Sequence, residues 1–140
     1  MSKIMPPAHP FDSSYLRDAD DGDKLKEECG VFGVIGVADA SNFVALGLHA
    51  LQHRGQESAG IATVHDGSVL LRRAMGYVGD AFDDQMLAEL KGSASIGHVR
   101  YSTFGDSRIV NAQPILIDCA HGQIALCHNC LLYTSDAADE

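Results

Sequence analysis

The sequence predicts an α+β fold built around a largely antiparallel sheet. Segments with strand character outnumber those with helical character, and they recur as hairpins. The clearest hairpin joins residues 59–65 to residues 68–74 through Asp66-Gly67, a dipeptide that favours a type I′ turn. Further strands are expected at 29–37, 95–101, 115–119 and 123–128.

Two runs of apolar residues at helical spacing predict two helices. The first is expected to begin at Ser41, which can cap it, and to end at Gly55. Its buried face would carry Phe43, Leu46, Ala50 and Leu51. The second stripe, closed by Gly92, comprises Phe82, Met86 and Leu90.

Composition and charge are those of an ordinary globular protein of one domain. The 140 residues are 46% hydrophobic and 21% charged, and the net charge is −9. Most of that charge lies at the two ends, because residues 29–130 hold nine acidic and six basic residues, a net of −3. A nucleic-acid partner is therefore not expected. No signal peptide precedes the strands and no stretch is long enough to span a bilayer, so we expect a cytoplasmic protein without a membrane partner.

The four cysteines are Cys29, Cys119, Cys127 and Cys130. In a reducing compartment such residues act as nucleophiles, metal ligands or plain core residues rather than as a disulfide framework. Cys119 and Cys127 fall on predicted strands, where burial would raise the pKa of a thiol and block access to it.

Four segments combine residue types that carry chemistry: Glu28-Cys29-Gly30, residues 52–56 (QHRGQ), residues 97–103 (GHVRYST) and His128-Asn129. Each alone is a weak signal, because short motifs recur by chance. In this order and at these spacings they resemble the class II glutamine amidotransferases. That resemblance implies the N-terminal-nucleophile hydrolase fold, in which four αββα layers contain largely antiparallel sheets, here truncated.

Within that group the sequence is similar to the glutamine phosphoribosylpyrophosphate amidotransferases. The similarity runs from about Leu25 to Asn129 and rests on residues 27–33 (EECGVFG), 51–57 (LQHRGQE), 58–61 (SAGI), 97–103 (GHVRYST) and 111–114 (NAQP). Glucosamine-6-phosphate synthases typically show Tyr-Arg-Gly-Tyr-Asp at 53–57 and Thr-Arg-Trp at 99–101, which this chain lacks.

The resemblance implies the first committed step of de novo purine nucleotide biosynthesis. Glutamine is hydrolysed, and its ammonia is delivered to phosphoribosylpyrophosphate to give phosphoribosylamine, glutamate and pyrophosphate. Both glutamine and phosphoribosylpyrophosphate are therefore expected partners of the full-length enzyme, which would use Mg²⁺ and form a homo-oligomer. Some members of the family hold an iron–sulfur cluster through cysteines downstream of this segment, in which no metal or cofactor is expected.

The resemblance also implies roles for single residues. Cys29 would attack the glutamine amide and form a thioester, with its own α-amine as general base. A peptide nitrogen cannot take up that proton, so residues 1–28 would be a leader that is removed by cleavage before Cys29. Asn129 and the backbone N–H of Cys130 would stabilise the oxyanion. The residues expected to bind the substrate are Arg100, which would pair with its α-carboxylate, and Tyr101, Thr103 and Arg54.

The sequence departs from the family pattern after Asn129. The family has a glycine where this chain has Cys130, and a Cβ there would strain a position that needs a positive φ or close approach. We interpret residues 130–140 as a foreign tail. Residues 29–129 would then be the N-terminal part of a glutaminase domain, and the phosphoribosyltransferase domain would be missing.

Two other interpretations stay open. Cys119, Cys127, Cys130 and His121 offer enough ligands for tetrahedral zinc, which would make the chain a small metal-stabilised binding module. Alternatively, the chain descends from an amidotransferase but is itself an inert, incompletely folded fragment. Such a fragment would expose apolar faces that further strands and helices normally cover.

Overall fold

The computed structural model describes residues 29–101 and 107–129. The strands in these ranges are β1 (Gly30–Ile35), β2 (Ser58–His65), β3 (Ser68–Met75), β4 (Ala94–Arg100), β5 (Ile115–Cys119) and β6 (Gly122–Leu126). The α-helices are α1 (Ala40–Ala50), α2 (Val78–Ala81) and α3 (Asp84–Glu89), and two 3₁₀ turns lie at Gln52–Arg54 and Ile109–Asn111. The mixture confirms the predicted α+β class. None of the described helices is long and apolar enough to cross a membrane.

Four strands form one antiparallel sheet in the order β1-β4-β2-β3. Gly30 pairs with Val99, and Ser58 pairs with Arg100. The start of β1, the end of β4 and the start of β2 therefore lie at the same end of the sheet. The predicted strands at 29–37 and 95–101 are confirmed with slightly different ends. This register brings the residue before β1 close to the residue after β4, although they are far apart in sequence.

Helix α1 covers one face of the sheet. A Cβ at Gly97 on β4 would lie 2.5 Å from Val44 Cγ1 and 2.7 Å from Leu48 Cδ1, so the helix packs directly against the glycine backbone. Val44 and Leu48 are fully buried by this contact. Burying a side chain of this size contributes about 1.5–3 kcal/mol, which makes the helix–sheet contact a principal part of the core.

The predicted start and buried face of the first helix are wrong. Asp39, with a φ of 53°, occupies the cap position, whereas Ser41 is buried inside the first turn and donates to the Leu87 carbonyl oxygen at 3.4 Å. The predicted inward residues Phe43 and Leu46 are 51% and 70% exposed. The true buried positions are Ala40, Ser41, Val44, Ala45 and Leu48. Val44 and Leu48 fit on the inner face because Gly97 on β4 leaves room for their side chains.

The predicted helix ends also need correction. Helix α1 ends at Ala50, and Gly55 instead ends the 3₁₀ turn that follows. The second stripe is divided between α2 and α3, because Asp83 accepts a hydrogen bond from the Met86 backbone N–H at 2.7 Å and begins a new helix. Phe82 and Leu90 are buried as expected, whereas Met86 is 42% exposed.

The hairpin between β2 and β3 is confirmed. His65 pairs with Ser68, and the two turn residues Asp66 and Gly67 have φ values of 48° and 76°. Positive φ at both positions is the geometry of a type I′ turn, which matches the twist of the flanking strands.

The second hairpin, β5–β6, lies on the sheet face opposite α1, because Gln123 and Ala125 line a cavity together with Ala62 and Ile96, which face away from the helix. Val69 on β3 donates its backbone N–H to Gln123 Oε1 at 2.8 Å, and Cys127, just after β6, places Sγ 3.7 Å from the Gly97 carbonyl oxygen. The predicted strands at 115–119 and 123–128 are confirmed, although the second ends at Leu126. A helix, a sheet and a further hairpin are thus stacked in that order.

Candidate active site around Cys29

Cys29 lies immediately before β1 and is half-buried. Its backbone N–H donates to the carbonyl oxygen of Arg54 at 2.8 Å. Its Sγ lies 3.4 Å from the backbone nitrogen of Tyr101 and 3.7 Å from the Tyr101 carbonyl oxygen. The thiol therefore faces the end of β4, where the backbone can both donate to the sulfur and accept from it.

The backbone of Cys29 has a φ of 60°. This left-handed conformation costs a residue with a Cβ about 1–2 kcal/mol. Such strain is found at functional sites, where surrounding contacts enforce it. Here the backbone groups of Cys29 are held on both sides, since the N–H donates to Arg54 and the carbonyl oxygen accepts from two side chains.

Those two side chains belong to Arg54 and Asn129. Arg54 Nε donates to the Cys29 carbonyl oxygen at 2.7 Å, and Asn129 Nδ2 donates to it at 3.3 Å. Arg54 is the last residue of the 3₁₀ turn, which ends at Gly55. A Cβ at Gly55 would lie 2.6 Å from the Arg100 carbonyl carbon, so only glycine allows the turn to approach β4 this closely.

Arg100 is almost buried at the end of β4. Its Nη1 donates to the carbonyl oxygen of Asn111 at 3.0 Å, and its Nε lies 3.9 Å from Glu57 Oε2. Glu57 is 10% exposed, and neither carboxylate oxygen has a hydrogen-bond partner among the described residues. Because a buried carboxylate needs a counter-charge, the Arg100 guanidinium stabilises Glu57 and is held in place by it.

His98 lies two residues before Arg100 on the same face of β4 and is 1% exposed. Its Nε2 lies 3.1 Å from the carbonyl oxygen of His128. Burial lowers the pKa of His98 from 6.5 to about 4, so the ring is neutral at neutral pH. Since a carbonyl only accepts, the single ring proton is on Nε2, and Nδ1 is buried without a hydrogen-bond partner among the described residues.

Gln113 contacts His128 from another side. Its Oε1 accepts the backbone N–H of His128 at 2.7 Å, and its Nε2 lies 3.4 Å from His128 Nε2. His98 and Gln113 together therefore hold both backbone polar groups of His128, the residue immediately before Asn129.

Single relatives match the chain, whereas no protein-family model does. The chain is 54% identical over 110 residues to the amidophosphoribosyltransferase of Rhizobium etli. It is 50% identical over 109 residues to the chloroplastic amidophosphoribosyltransferase of Vigna aconitifolia. Each match covers 78% of this chain and 22% of the relative. The chain is homologous to the amidophosphoribosyltransferases.

A solved structure supports the same homology. The glutamine phosphoribosylpyrophosphate amidotransferase from B. subtilis, complexed with ADP and GMP, superposes with a TM-score of 0.63 at 39% identity, over 71% of this chain and 21% of that chain. The chain thus spans about a fifth of the length of the amidophosphoribosyltransferases that it matches. Its described residues form a truncated part of the N-terminal-nucleophile hydrolase fold, as the sequence resemblance implied.

The structure brings together most of the residues to which the amidophosphoribosyltransferase resemblance assigns roles. Arg54, Tyr101 and Asn129 all contact Cys29, and Arg100 precedes Tyr101. Two other predicted site residues, Thr103 and Cys130, lie outside the described residues. The catalytic and substrate-binding roles of all these residues stay predictions.

Sequence reasoning missed Glu57, His98 and Gln113. All three lie in segments that resemble the amidophosphoribosyltransferases, but none has an expected chemical role there. For His98 a signal exists, since the alternation of β4 places it on the face that carries Arg100. For Gln113 no pattern in the residues indicates a contact with His128, because the contact depends on the path of the loop before β5.

Of the predicted zinc ligands, Cys130 lies outside the described residues, and the other three, Cys119, His121 and Cys127, are not assembled into a metal site. Cys119 is exposed and donates its thiol to the Gly122 carbonyl oxygen at 3.0 Å, so its predicted burial is wrong. Cys127 is half-buried, and burial raises the pKa of its thiol. Within 29–101 and 107–129 no three His, Cys, Asp or Glu side chains are placed to hold a metal ion. The geometry therefore does not favour the zinc-binding module.

Proposed function

We propose that the chain is part of an amidophosphoribosyltransferase and carries its glutaminase site at Cys29. The full-length enzyme would hydrolyse glutamine and pass ammonia to phosphoribosylpyrophosphate, giving phosphoribosylamine, glutamate and pyrophosphate. The observation that carries the proposal is the convergence of Arg54, Tyr101 and Asn129 on Cys29 in a homologue of these enzymes.

In the proposed reaction the Cys29 thiol gives its proton to the α-amine of the same residue, and the sulfur attacks the amide carbon of glutamine. Negative charge develops on the amide oxygen, where the Asn129 side chain and the backbone N–H of residue 130 would donate. The C–N bond then breaks as the protonated amine gives its proton to the leaving nitrogen, and ammonia departs. Water cleaves the resulting thioester, which releases glutamate and restores the thiol.

This mechanism needs a free α-amine, whose ordinary pKa of about 8 suits a general base at neutral pH. We therefore propose cleavage between Glu28 and Cys29. One hydrogen bond and one backbone angle support the idea. The hydrogen bond from the Cys29 nitrogen to the Arg54 carbonyl oxygen would persist in a free amine and orient it. The unfavourable φ of Cys29 depends on the attachment of residue 28, so cleavage would remove that backbone strain.

We assign the glutamine α-carboxylate to Arg100, because a guanidinium can bind both carboxylate oxygens at once. Tyr101 and Thr103 would lie in the segment that closes over glutamine, and Arg54 would brace the nucleophile. We further propose that the full-length enzyme uses Mg²⁺ and forms a homo-oligomer, and that any iron–sulfur cluster is held by cysteines downstream of this segment. A cytoplasmic location stays a prediction, since several relatives are named chloroplastic.

A labelling experiment tests the nucleophile. In a chimera, residues 29–129 replace the homologous part of the Rhizobium etli relative, with Cys29 as the first residue. A glutamine analogue with an electrophilic carbon at the amide position should alkylate Cys29 alone, as mapped by peptide mass spectrometry. Arg100→Lys should slow this labelling, because an ammonium cannot make the two-pronged contact. Cys29→Ser should abolish it without unfolding the domain.

The matched control is the same electrophile without an α-carboxylate. Its slower reaction with the thiols should be insensitive to Arg100→Lys. Labelling of Cys119 or Cys127 in preference to Cys29 would contradict the mechanism.

Two mass measurements test the remaining parts of the proposal. The active full-length protein should have the intact mass of a chain beginning at Cys29, and full activity with residues 1–28 retained would rule out the α-amine as base. The purified 140-residue chain should contain no stoichiometric zinc by native mass spectrometry. One zinc per chain, lost together with secondary structure on chelation, would instead favour the binding module.

A further inference from the structure

The position of Asn129 depends on the backbone before it. Its side chain reaches the Cys29 carbonyl oxygen at 3.3 Å, yet the residue itself is exposed, so packing against neighbours does not fix it. What precedes it is unusually well held, because the backbone N–H and the carbonyl oxygen of His128 both have side-chain partners. These two groups belong to the two peptide planes that flank the His128 Cα.

Holding both planes fixes the direction of the chain. The carbonyl oxygen of His128 lies in the peptide plane that ends at the Asn129 Cα, and it accepts from His98 Nε2 at 3.1 Å. The N–H of His128 lies in the preceding plane, and it donates to Gln113 Oε1 at 2.7 Å. With both planes restrained, the two soft dihedral angles of His128 are restrained as well, and the Asn129 Cα has a defined position.

The two partners come from rigid parts of the fold. His98 lies on β4 between two paired strands, opposite Val31 on β1 and Gly60 on β2. The Gln113 backbone rests on the same sheet, because a Cβ at Gly60 would collide with the Gln113 carbonyl group. Both residues are therefore anchored to the sheet that also carries Cys29 at its edge.

We propose that His98 and Gln113 are positioning residues that hold the backbone of His128 and thereby set Asn129 against Cys29. We call the pair the His128 bracket. The proposal rests on the proposed glutaminase function, since Asn129 matters there as the donor to the developing oxyanion. A donor of this kind acts only when it is placed correctly before the reaction, and a misplacement of about 1 Å can cost about a hundredfold in rate.

Substitutions can separate the hydrogen bond from the packing of each bracket residue. His98→Leu keeps most of the volume and removes the donor, whereas His98→Gln restores a donor at a similar reach. Likewise Gln113→Met removes the acceptor, and Gln113→Glu keeps it. Thr63→Val is the control, because Thr63 is a buried side chain on the same sheet whose hydroxyl donates to Ser95 Oγ at 2.9 Å, away from the bracket.

The first measurement is hydrogen exchange at the His128 amide in the full 140-residue chain, followed by NMR. His98→Leu and Gln113→Met should each speed that exchange by about tenfold more than they speed exchange at the amides of β2 and β4, which follow only the global loss of stability. His98→Gln and Gln113→Glu should stay close to the wild type, as should Thr63→Val. Unchanged exchange at His128 in both disrupting variants would overturn the bracket. So would an equal rise over the whole sheet, because His98 and Gln113 would then be ordinary core residues.

The second measurement is glutamine turnover in the chimera described above. His98→Leu and Gln113→Met should lower kcat by about tenfold to a hundredfold and leave KM within about twofold, because the oxyanion exists only in the transition state. The conservative variants should recover most of that loss. An unchanged kcat in an active chimera would overturn the positioning role. If the wild-type chimera does not hydrolyse glutamine at all, the proposed function fails, and hydrogen exchange still decides whether the bracket holds His128.

Discussion

Mild acid should destabilise the chain through His98. The ring is 1% exposed, and burial, assisted by the nearby His128 and Arg100, lowers its pKa from 6.5 to about 4. In the unfolded chain the same ring takes up a proton near pH 6.5, so between about pH 6.5 and pH 4 the unfolded state binds more protons than the folded state. The stability that neutral His98 contributes is therefore fully present above pH 6.5 and is lost as the pH falls toward 4.

The size of the loss follows from the two pKa values. A tenfold difference in proton affinity corresponds to about 1.4 kcal/mol, so the free energy of unfolding should fall by about 3 kcal/mol when the ring is protonated only in the unfolded chain. About 1 kcal/mol of this should be lost by pH 6 and about 2 kcal/mol by pH 5. These amounts are a large fraction of the total stability of a small domain.

Other titratable groups also contribute to the loss of stability in acid. A variant that lacks His98 isolates the contribution of that ring. At pH 7 His98→Leu should be about 1–3 kcal/mol less stable than the wild type, because the His128 carbonyl oxygen loses its donor. Between pH 7 and pH 5 it should lose about 2 kcal/mol less than the wild type, so the two stabilities converge. Thr63→Val, which removes a buried hydroxyl and no titratable group, should keep the wild-type pH dependence.

Urea unfolding at pH 7, 6 and 5, followed by circular dichroism, measures all three proteins, provided that the slope against urea is the same throughout. Parallel pH dependence of the wild type and His98→Leu would refute the reasoning. It would mean that the ring titrates alike in the folded and unfolded chains.

Two pairs of substitutions test the packing of the sheet by the same urea assay. Leu48→Ala should cost about 2–5 kcal/mol because the side chain is fully buried, whereas Leu46→Ala, at a position that is 70% exposed, should cost less than about 1 kcal/mol. Equal losses would mean that α1 presents a different face to the sheet. Gly60→Ala should cost about 1–3 kcal/mol because its Cβ would meet the Gln113 backbone, whereas Gly79→Ala, which enters open space in α2, should be neutral or gain up to about 1 kcal/mol. A tolerated Gly60→Ala would contradict the close approach of the loop to β2.

Local chemistry explains why parts of the fold were predictable from the sequence. Asp66-Gly67 determines its own turn, because both residues accept a positive φ, and the flanking strands then follow by alternation. Helix α1 shows the limit of this approach. Apolar residues occur on both of its sides, and the exposed Phe43 and Leu46 are at least as large as the buried Leu48, so residue type alone does not show which side faces the sheet. Which side of α1 faces the sheet depends on the space at Gly97 on β4. That contact cannot be identified from the helix sequence.

The candidate site divides in a similar way. The resemblance predicted the meeting of Cys29 with Arg54 and Asn129, because those residues occur in segments with assigned roles. It did not predict that Glu57 faces Arg100 or that Gln113 holds His128. A buried glutamate and a loop glutamine are recognised only when the path of the chain is known, since their partners are distant in sequence and no short motif contains both members of a pair.

The strand order also determines when the site can form as the chain folds. The β2–β3 hairpin closes a two-residue turn and can form within microseconds from local contacts. In contrast, among the described strands β1 pairs only with β4, so its docking must close the long loop between Ile35 and Ala94 and pay the entropy of that closure. On a ribosome, β1, which directly follows Cys29, emerges well before β4, its partner in the described sheet. The contacts around Cys29 thus form late, and a probe attached there would follow the completion of the sheet rather than its nucleation.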